Sequence, residues 1–283
     1  MSKTKKTVYN ILTVVFVLIF AVSAFVLGRY ILDSHKQQSK FDELAGMVED
    51  PPSGKPAGHS QSGQSASLAE MYPDCVIIPD FKTGKEIPVL PEYLELYRQN
   101  PDVIGWMKLE GTKLNYPVMQ TPDRKDYYLR RDFDGSSSSH GCLFARGVCD
   151  VYRPSDNITI YGHNMRDGSM FAVLHRYENQ DFRNEHPVIT FNTLRQRNKY
   201  EVFAVFKTSA TKNQGFPYHL FVDTDSSEEF DKYVSTCKQM SLYDTGITPV
   251  FGDKLISLST CDYSLSNGRL VVVARRISDA SQN

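Results

Sequence analysis

The sequence predicts a mainly β domain, a closed barrel of short strands with helices at its ends, held behind a membrane-spanning helix and a stalk. Three observations point there. Between about residues 100 and 277, short runs rich in β-branched and aromatic residues alternate with polar turns. Few stretches in that region keep helical spacing. Residues 1–70 differ from the rest, first apolar and then polar. No internal repeat and no second globular domain is visible.

Residues 1–7 read as a cytoplasmic tail, and Val8–Leu32 as a transmembrane anchor. Up to Gly28 the anchor holds no charged residue, and a spanning helix needs about 20 apolar residues. Lys3, Lys5 and Lys6 precede it, which places the tail inside and the remainder outside. A cleaved signal peptide is the rival, with Val22-Ser23-Ala24 as a small-residue site. Signal h-regions run only about 7–15 residues, so the length favours an uncleaved anchor. A buried soluble helix fits poorly, because the run is apolar on every face. Residues 33–70 read as a flexible stalk: PPSGKPAGHSQSGQSAS cannot build a core. FDELAGMVED ahead of it is compatible with a short helix. Residues 71–283 form the extracellular domain.

Within that domain, Pro91–Asn100 predicts a helix that stops before Pro101. Strands are predicted at Val103–Leu109, Lys113–Met119, Tyr127–Arg131, Gly141–Ala145 and Asn157–Tyr161. A short helix follows at Met170–Tyr177, then strands at Val188–Asn192 and Tyr200–Thr208. Ser226 with Glu229 signals a capping box, and Phe230, Val234 and Cys237 recur at helical spacing through Met240. Lys254–Thr260 and Arg269–Ile277 are the last strands.

Composition excludes some classes. The 283 residues carry a net charge of -1 with 41% hydrophobic residues, which is globular and gives no footprint for nucleic acid. No Gly-rich phosphate loop and no His-Glu-x-x-His helix occurs, and no clustered loop carboxylates mark calcium, so no cofactor or metal is expected. Five cysteines, Cys75, Cys142, Cys149, Cys237 and Cys261, lack zinc-site spacing. Their odd number leaves at least one thiol unpaired. Whether Cys142 and Cys149 pair stays open.

The last two strands, in LISLSTCDYSLSNGRLVVVARR, carry the sharpest chemical signal. A short connection favours direct antiparallel pairing, which brings Cys261 beside Arg269. Arg275 shares the parity of Arg269 but lies roughly 20 Å further along, and Arg276 points to the opposite face. A neighbouring cation favours the thiolate and can hold an oxyanion. The plainer alternative, a surface arginine beside a buried thiol, stays open on these residues alone. A thiol nucleophile also needs a proton-transfer partner. Of seven histidines, His163 ends a β-rich run after a glycine, in YGHNM, and is presented at a strand end. A histidine that merely bonds a loop carbonyl is the alternative there.

NITIYGHNMRDGSMFAVLHRY and LISLSTCDYSLSNGRLVVVARR together resemble the sortase family, and specifically class B sortases, membrane-anchored cysteine transpeptidases of Gram-positive bacteria. The resemblance runs from about Pro91 to Ile277 and includes NPDVIGWMKLEGTKLNYPVMQ and YYLRRDFDG. It implies an eight-stranded β-barrel with N-terminal helices and a long helix before the nucleophile strand, where Ser226–Met240 sits. It implies a catalytic trio of His163, Cys261 and Arg269, with Ser259 and Thr260 shaping the oxyanion site. Tyr161 is a candidate for the substrate groove, and Asp262 for tuning the thiol or bonding the loop. The implied reaction cleaves an LPxTG-like or NPxTN-like sorting signal through a thioacyl intermediate. The acyl group then passes to an amine of a peptidoglycan cross-bridge or its lipid-linked precursor, or to water. The gap from Cys261 to Arg269 is shorter than in many class B members, which bears on the last loop and on substrate preference.

Anchoring of surface proteins competes with polymerisation of pilins, although the aromatic Asp-Pro lid and C-terminal membrane helix of pilin-polymerising enzymes are missing. A papain-like exported peptidase would place its cysteine early, at a helix start, with the histidine later; the order here is reversed. A non-catalytic barrel that binds the cell wall is the remaining alternative.

Overall fold

A computed structural model describes residues 3–49, 68–80, 82–211 and 213–277. The chain divides into two units, residues 1–42 and 43–283. One helix, α1, spans Lys3–Glu49. Its apolar side chains are exposed on all sides from Tyr9 to Leu27, and it is long and apolar enough to cross a membrane. The helix continues past Leu32, so residues 33–49 of the expected stalk are helical. Their Gln, Lys, Glu, Leu and Ala residues are good helix formers. The Ser/Gly/Pro part of the stalk lies outside the described residues.

The second unit begins with a single turn, α2 (Leu68–Met71), and a separate antiparallel hairpin, β1 (Val76–Pro79) with β2 (Glu86–Val89). Pro91–Tyr93 form a 3-10 turn that leads into α3 (Leu94–Gln99). Pro at the first position and Pro101 beyond the end explain both limits of the predicted helix.

Eight further strands make a sheet that closes on itself: β3 (Val103–Lys108), β4 (Asn115–Met119), β5 (Leu143–Ala145), β6 (Asn157–Tyr161), β7 (Val188–Thr193), β8 (Lys199–Ser209), β9 (Leu255–Asp262) and β10 (Gly268–Ile277). Their spatial order is β10-β8-β7-β3-β4-β5-β6-β9, with β9 returning to β10. Pairing is parallel between β4 and β5 and between β6 and β9, and antiparallel elsewhere. Closure gives each of these eight strands a neighbour on both sides.

Tyr127–Arg130, expected as a strand, is instead a 3-10 turn entered through Asp126 at φ 54°. Only Tyr128 is buried there. Its hydroxyl donates to Asp102 at 2.9 Å and accepts from Asn100 at 2.8 Å, which pins the turn. Phe171–Glu178 is also a 3-10 segment, with Phe171, Val173, Leu174 and Tyr177 buried, and α4 (Gln180–Glu185) follows.

Helix α5 (Ser227–Met240) packs on the outside of the barrel. Its Phe230, Tyr233, Val234 and Cys237 form one cluster with Phe203 and Phe206 of β8, Leu255 of β9, and Val271 and Val273 of β10. Burying a side chain such as Phe230 contributes about 1.5–3 kcal/mol. Ser226 caps the helix by accepting from Glu229 N at 3.3 Å. The reciprocal arm of the expected capping box runs through Thr224. Its hydroxyl donates to Glu229 Oε2 at 2.7 Å and accepts from Ser226 N at 3.1 Å. Cys149 donates its thiol to the Asn157 carbonyl at 3.6 Å and forms no disulfide with Cys142.

Candidate active site

Three neighbouring strands, β6, β9 and β10, build the site. Side chains alternate along each. On β9 the Ser257 and Ser259 hydroxyls meet the Tyr233 and Tyr218 hydroxyls at 3.0 and 2.6 Å. Tyr233 belongs to the outer helix α5, so the odd-numbered residues of β9 face outward, Cys261 among them. Ile256, Leu258 and Thr260 face the interior. On β6, the Asn157 amide donates to Phe221 O at 3.0 Å and to Tyr233 Oη at 3.3 Å. Tyr161 therefore shares the outward face.

Register then aligns the groups. Tyr161 lies beside Ser259 across the parallel β6–β9 pair, and Arg269 lies opposite Cys261 across β9–β10. His163 follows Tyr161 by two residues, as Cys261 follows Ser259, just beyond the end of that paired stretch. Cys261 thus has Arg269 opposite it on β10, and the chain that leaves β6 toward His163 lies on the other side of β9. Its carbonyl is turned toward Asn164 and His175, away from β10. The Cys261–Arg269 pair is therefore of the non-hydrogen-bonded kind, whose side chains stand closest, at about 4.5 Å between Cα atoms.

His163 and Arg269 each have an orienting partner. His163 Nε2 is 2.7 Å from Leu129 O. A carbonyl only accepts, so Nε2 carries a proton, and Nδ1 is the atom whose proton can come and go. The Leu129 carbonyl is offered by the 3-10 turn. A Cβ at Gly141 (φ +59°) would fall 2.6 Å from it, so only glycine lets the chain return so closely there. Gly162 N donates to Ser259 O at 3.2 Å, and His163 O accepts from Phe171 N at 2.9 Å. Arg269 Nη1 donates to Gly268 O at 2.8 Å. Its Nε and Nη2 have no partner among the described residues.

The expected supporting residues divide. Ser259 lies on the thiol's face, bonded to Tyr218, and is 1% exposed. Tyr161 shares the face and packs its ring against Phe144 at 5.4 Å between centroids; burial pushes its phenol up. Thr260 is 2% exposed, faces the interior and bonds no partner with its hydroxyl. It therefore lends no side chain to the face that carries Cys261, because strand alternation turns it inward. Asp262 bonds the loop: its carboxylate accepts from Ser264 N at 2.8 Å and pairs with Lys207 Nζ at 2.9 Å. Burial opposes its ionisation, but these bonds outweigh burial and hold its pKa at about 2.

Tyr218, Leu129, Asn164 and His175 were not singled out by spacing or motif. Tyr218 follows β8 and meets the site only because its segment folds back over β9. Burial raises its pKa, while Arg269 lowers and Cys261 raises it, so it feels both groups. A sequence-neighbour rule has no means to pair it with Ser259. Among the described residues, His175, Glu178 and Asp262 form a cluster compatible with a cation. Lys207 already bridges its two carboxylates, at 2.8 and 2.9 Å.

A thiol with a guanidinium opposite it on the next strand is an arrangement that suits acyl transfer. Residues 107–277 match the family described as the Sortase domain. The chain is similar to Sortase B of Staphylococcus aureus, 31% identical over 191 residues, covering 67% of this chain and 76% of the relative. Sortase B of Listeria monocytogenes is 31% identical over 197 residues, with the same coverage of 67% and 76%. Among solved structures, Bacillus anthracis sortase B superposes with a TM-score of 0.67 at 26% identity, covering 88% of this chain and 100% of that one. The Staphylococcus aureus sortase B–substrate complex gives a TM-score of 0.68 at 25% identity, with coverage of 88% and 100%.

Proposed function

The chain belongs to the sortase family and to its class B group, and from that premise we propose that it is a membrane-tethered cysteine transpeptidase acting on sorting signals. The observation that carries this reading is the register that sets Arg269 opposite Cys261 and Tyr161, two residues before His163, beside Ser259. The relative solved with a substrate supports a peptide sorting signal as the first partner.

The Cys261 thiolate attacks the carbonyl carbon of an LPxTG-like or NPxTN-like signal, and an S–C bond forms as the carbonyl electrons move to oxygen. Arg269, through Nε and Nη2, holds that oxyanion. Collapse of the intermediate breaks the C–N bond, and imidazolium His163 gives its Nδ1 proton to the departing amine. A second amine, from a peptidoglycan cross-bridge or its lipid-linked precursor, attacks the thioester. Neutral His163 takes its proton, and the thiolate leaves. Water in place of that amine gives slow hydrolysis. Ser259 and Tyr161 border the bound peptide. The chemistry draws on these side chains and calls for no metal or cofactor.

Helix α1 supplies the anchor in this reading, with Lys3, Lys5 and Lys6 on the cytoplasmic side and residues 71–283 outside. The test is incubation of the full chain in detergent with a sorting-signal peptide library and an amine acceptor, followed by mass spectrometry. An acyl adduct on Cys261 and an amine-dependent joined product are expected. An adduct that persists in Cys261→Ala would overturn the assignment.

A further inference from the structure

The parallel ladder that aligns β6 with β9 ends at Tyr161 and Ser259, two residues before the nucleophile. Gly162 N takes the Ser259 carbonyl at 3.2 Å. Past His163 the chain turns, bridging Asn164 to Met170. The Cys261 carbonyl faces this turn and would be an acceptor without a ladder partner. Two side chains meet it instead: Asn164 Nδ2 at 3.2 Å and His175 Nε2 at 3.0 Å. Asn164 Nδ2 and His175 Nε2 are themselves 3.0 Å apart.

His175 is held from behind. Its Nδ1 is 2.7 Å from Glu178 Oε1. Burial pushes the Glu178 carboxyl up, but bonds from Lys207 and His175 outweigh burial and keep it ionised. A carboxylate only accepts, so His175 Nδ1 carries a proton. Lys207 of β8 ties Glu178 to Asp262, the residue that follows the nucleophile, at 2.8 and 2.9 Å. Glu178, Lys207, Asp262, Asn164 and the Cys261 carbonyl are thus the polar groups around this ring.

We propose that His175, oriented by Glu178, is a positioning residue for the nucleophile: with Asn164 it fixes the Cys261 carbonyl, and thereby keeps the thiol between His163 and Arg269. The two possible proton states of the ring serve this end differently. As imidazolium, Nε2 donates directly to the carbonyl. With Nδ1 alone protonated, Nε2 accepts from Asn164 and steadies the amide that donates. In either state the backbone at Cys261 is tied to the 3-10 segment across the barrel end. The inference rests on the transpeptidase reading for the reaction it serves, but it concerns the placement of a thiol and can be read without a peptide.

The test compares the full-length wild type with His175→Ala, His175→Gln and Glu178→Gln in two assays. Alkylation of Cys261 by iodoacetamide is followed against pH by mass spectrometry of its peptide. Acyl-adduct formation is followed at varied sorting-signal peptide concentration. His175→Ala is expected to slow alkylation of Cys261 and to lower kcat for adduct formation about tenfold, with KM within about twofold. Glu178→Gln gives a smaller loss of the same kind. His175→Gln, neutral but able to donate from the Nε2 position, recovers most of both losses. Unchanged alkylation and kcat in His175→Ala overturn the proposal. So does a loss that His175→Gln shares in full while both variants melt lower, because the histidine would then be a packing residue. A wild type that is alkylated at Cys261 but takes no acyl group refutes the sorting-signal reading instead. The alkylation profiles alone then decide the role of His175.

Discussion

Adding one methyl group at Gly162 tests how the fold holds His163. A Cβ there would stand 2.5 Å from Leu143 Cδ2 and 2.7 Å from Phe171 Cδ2 and Cγ. Carbon atoms in contact prefer about 3.5–4.0 Å, so Gly162→Ala must open about 1 Å. Leu143 and Phe171 are both fully buried, and Phe171 N is bonded to His163 O at 2.9 Å, so neither can swing into solvent. Overpacking of this kind costs about 1–3 kcal/mol. In a domain of this size that lowers Tm by about 2–12 °C. Relief by movement of β6 would shift His163, and a displacement of about 1 Å at a reacting group can cost about 100-fold in rate. Thermal melting by circular dichroism and the rate of acyl-adduct formation are the measurements. Gly162→Ala should remain folded at 25 °C, melt lower and form adduct far more slowly. An unchanged Tm together with a full rate would refute the claim that close packing at Gly162 sets the place of the imidazole.

Other outcomes follow from the same geometry. Arg269→Lys keeps a charge but loses the planar fork, and should slow adduct formation about 100-fold while alkylation of Cys261 persists. Nitrogen NMR of labelled His163 should show a proton on Nε2 throughout its titration, because Leu129 O accepts there at 2.7 Å; a neutral form protonated on Nδ1 would contradict the proton route. Asp262 has its pKa depressed to about 2, so its stabilising effect is complete above the unfolded value of about 4 and is lost as pH falls toward about 2. Asp262→Asn should therefore be less stable by about 2 kcal/mol at pH 7, and the gap to wild type should close near pH 2 in urea titrations. Brief alkylation of the native protein should modify Cys261 and spare Cys149 and Cys237, whose thiols are buried and pushed up by that burial.

The strands carrying the chemistry were legible because their signals are local. Ser-Thr-Cys and the run after Gly268 are β-rich with a short link, and their antiparallel pairing follows from that link. Gly-His at the end of Asn157–Tyr161 was legible for the same reason. The parallel alignment of β6 with β9 was not, since nothing in either run states its partner; the family resemblance implied the trio but not this pairing. Tyr127–Arg130 reads as a strand by composition, yet one buried hydroxyl bonded to Asp102 and Asn100 makes it a turn. Thr260 was expected at the site because it adjoins Cys261, whereas alternation sends it inward. Tyr218 and His175 reach the nucleophile only through tertiary folding, from segments with no motif of their own.

Strand β10 both seals the barrel against β8 and β9 and delivers Arg269. The last stave of the barrel to be synthesised is therefore also the one that sets a guanidinium opposite Cys261. Until residues 268–277 have been made and have paired, Cys261 has no guanidinium opposite it. Under the proposed function, acyl transfer has to wait until the whole scaffold exists, and a chain truncated before Gly268 loses both the closure of the sheet and Arg269.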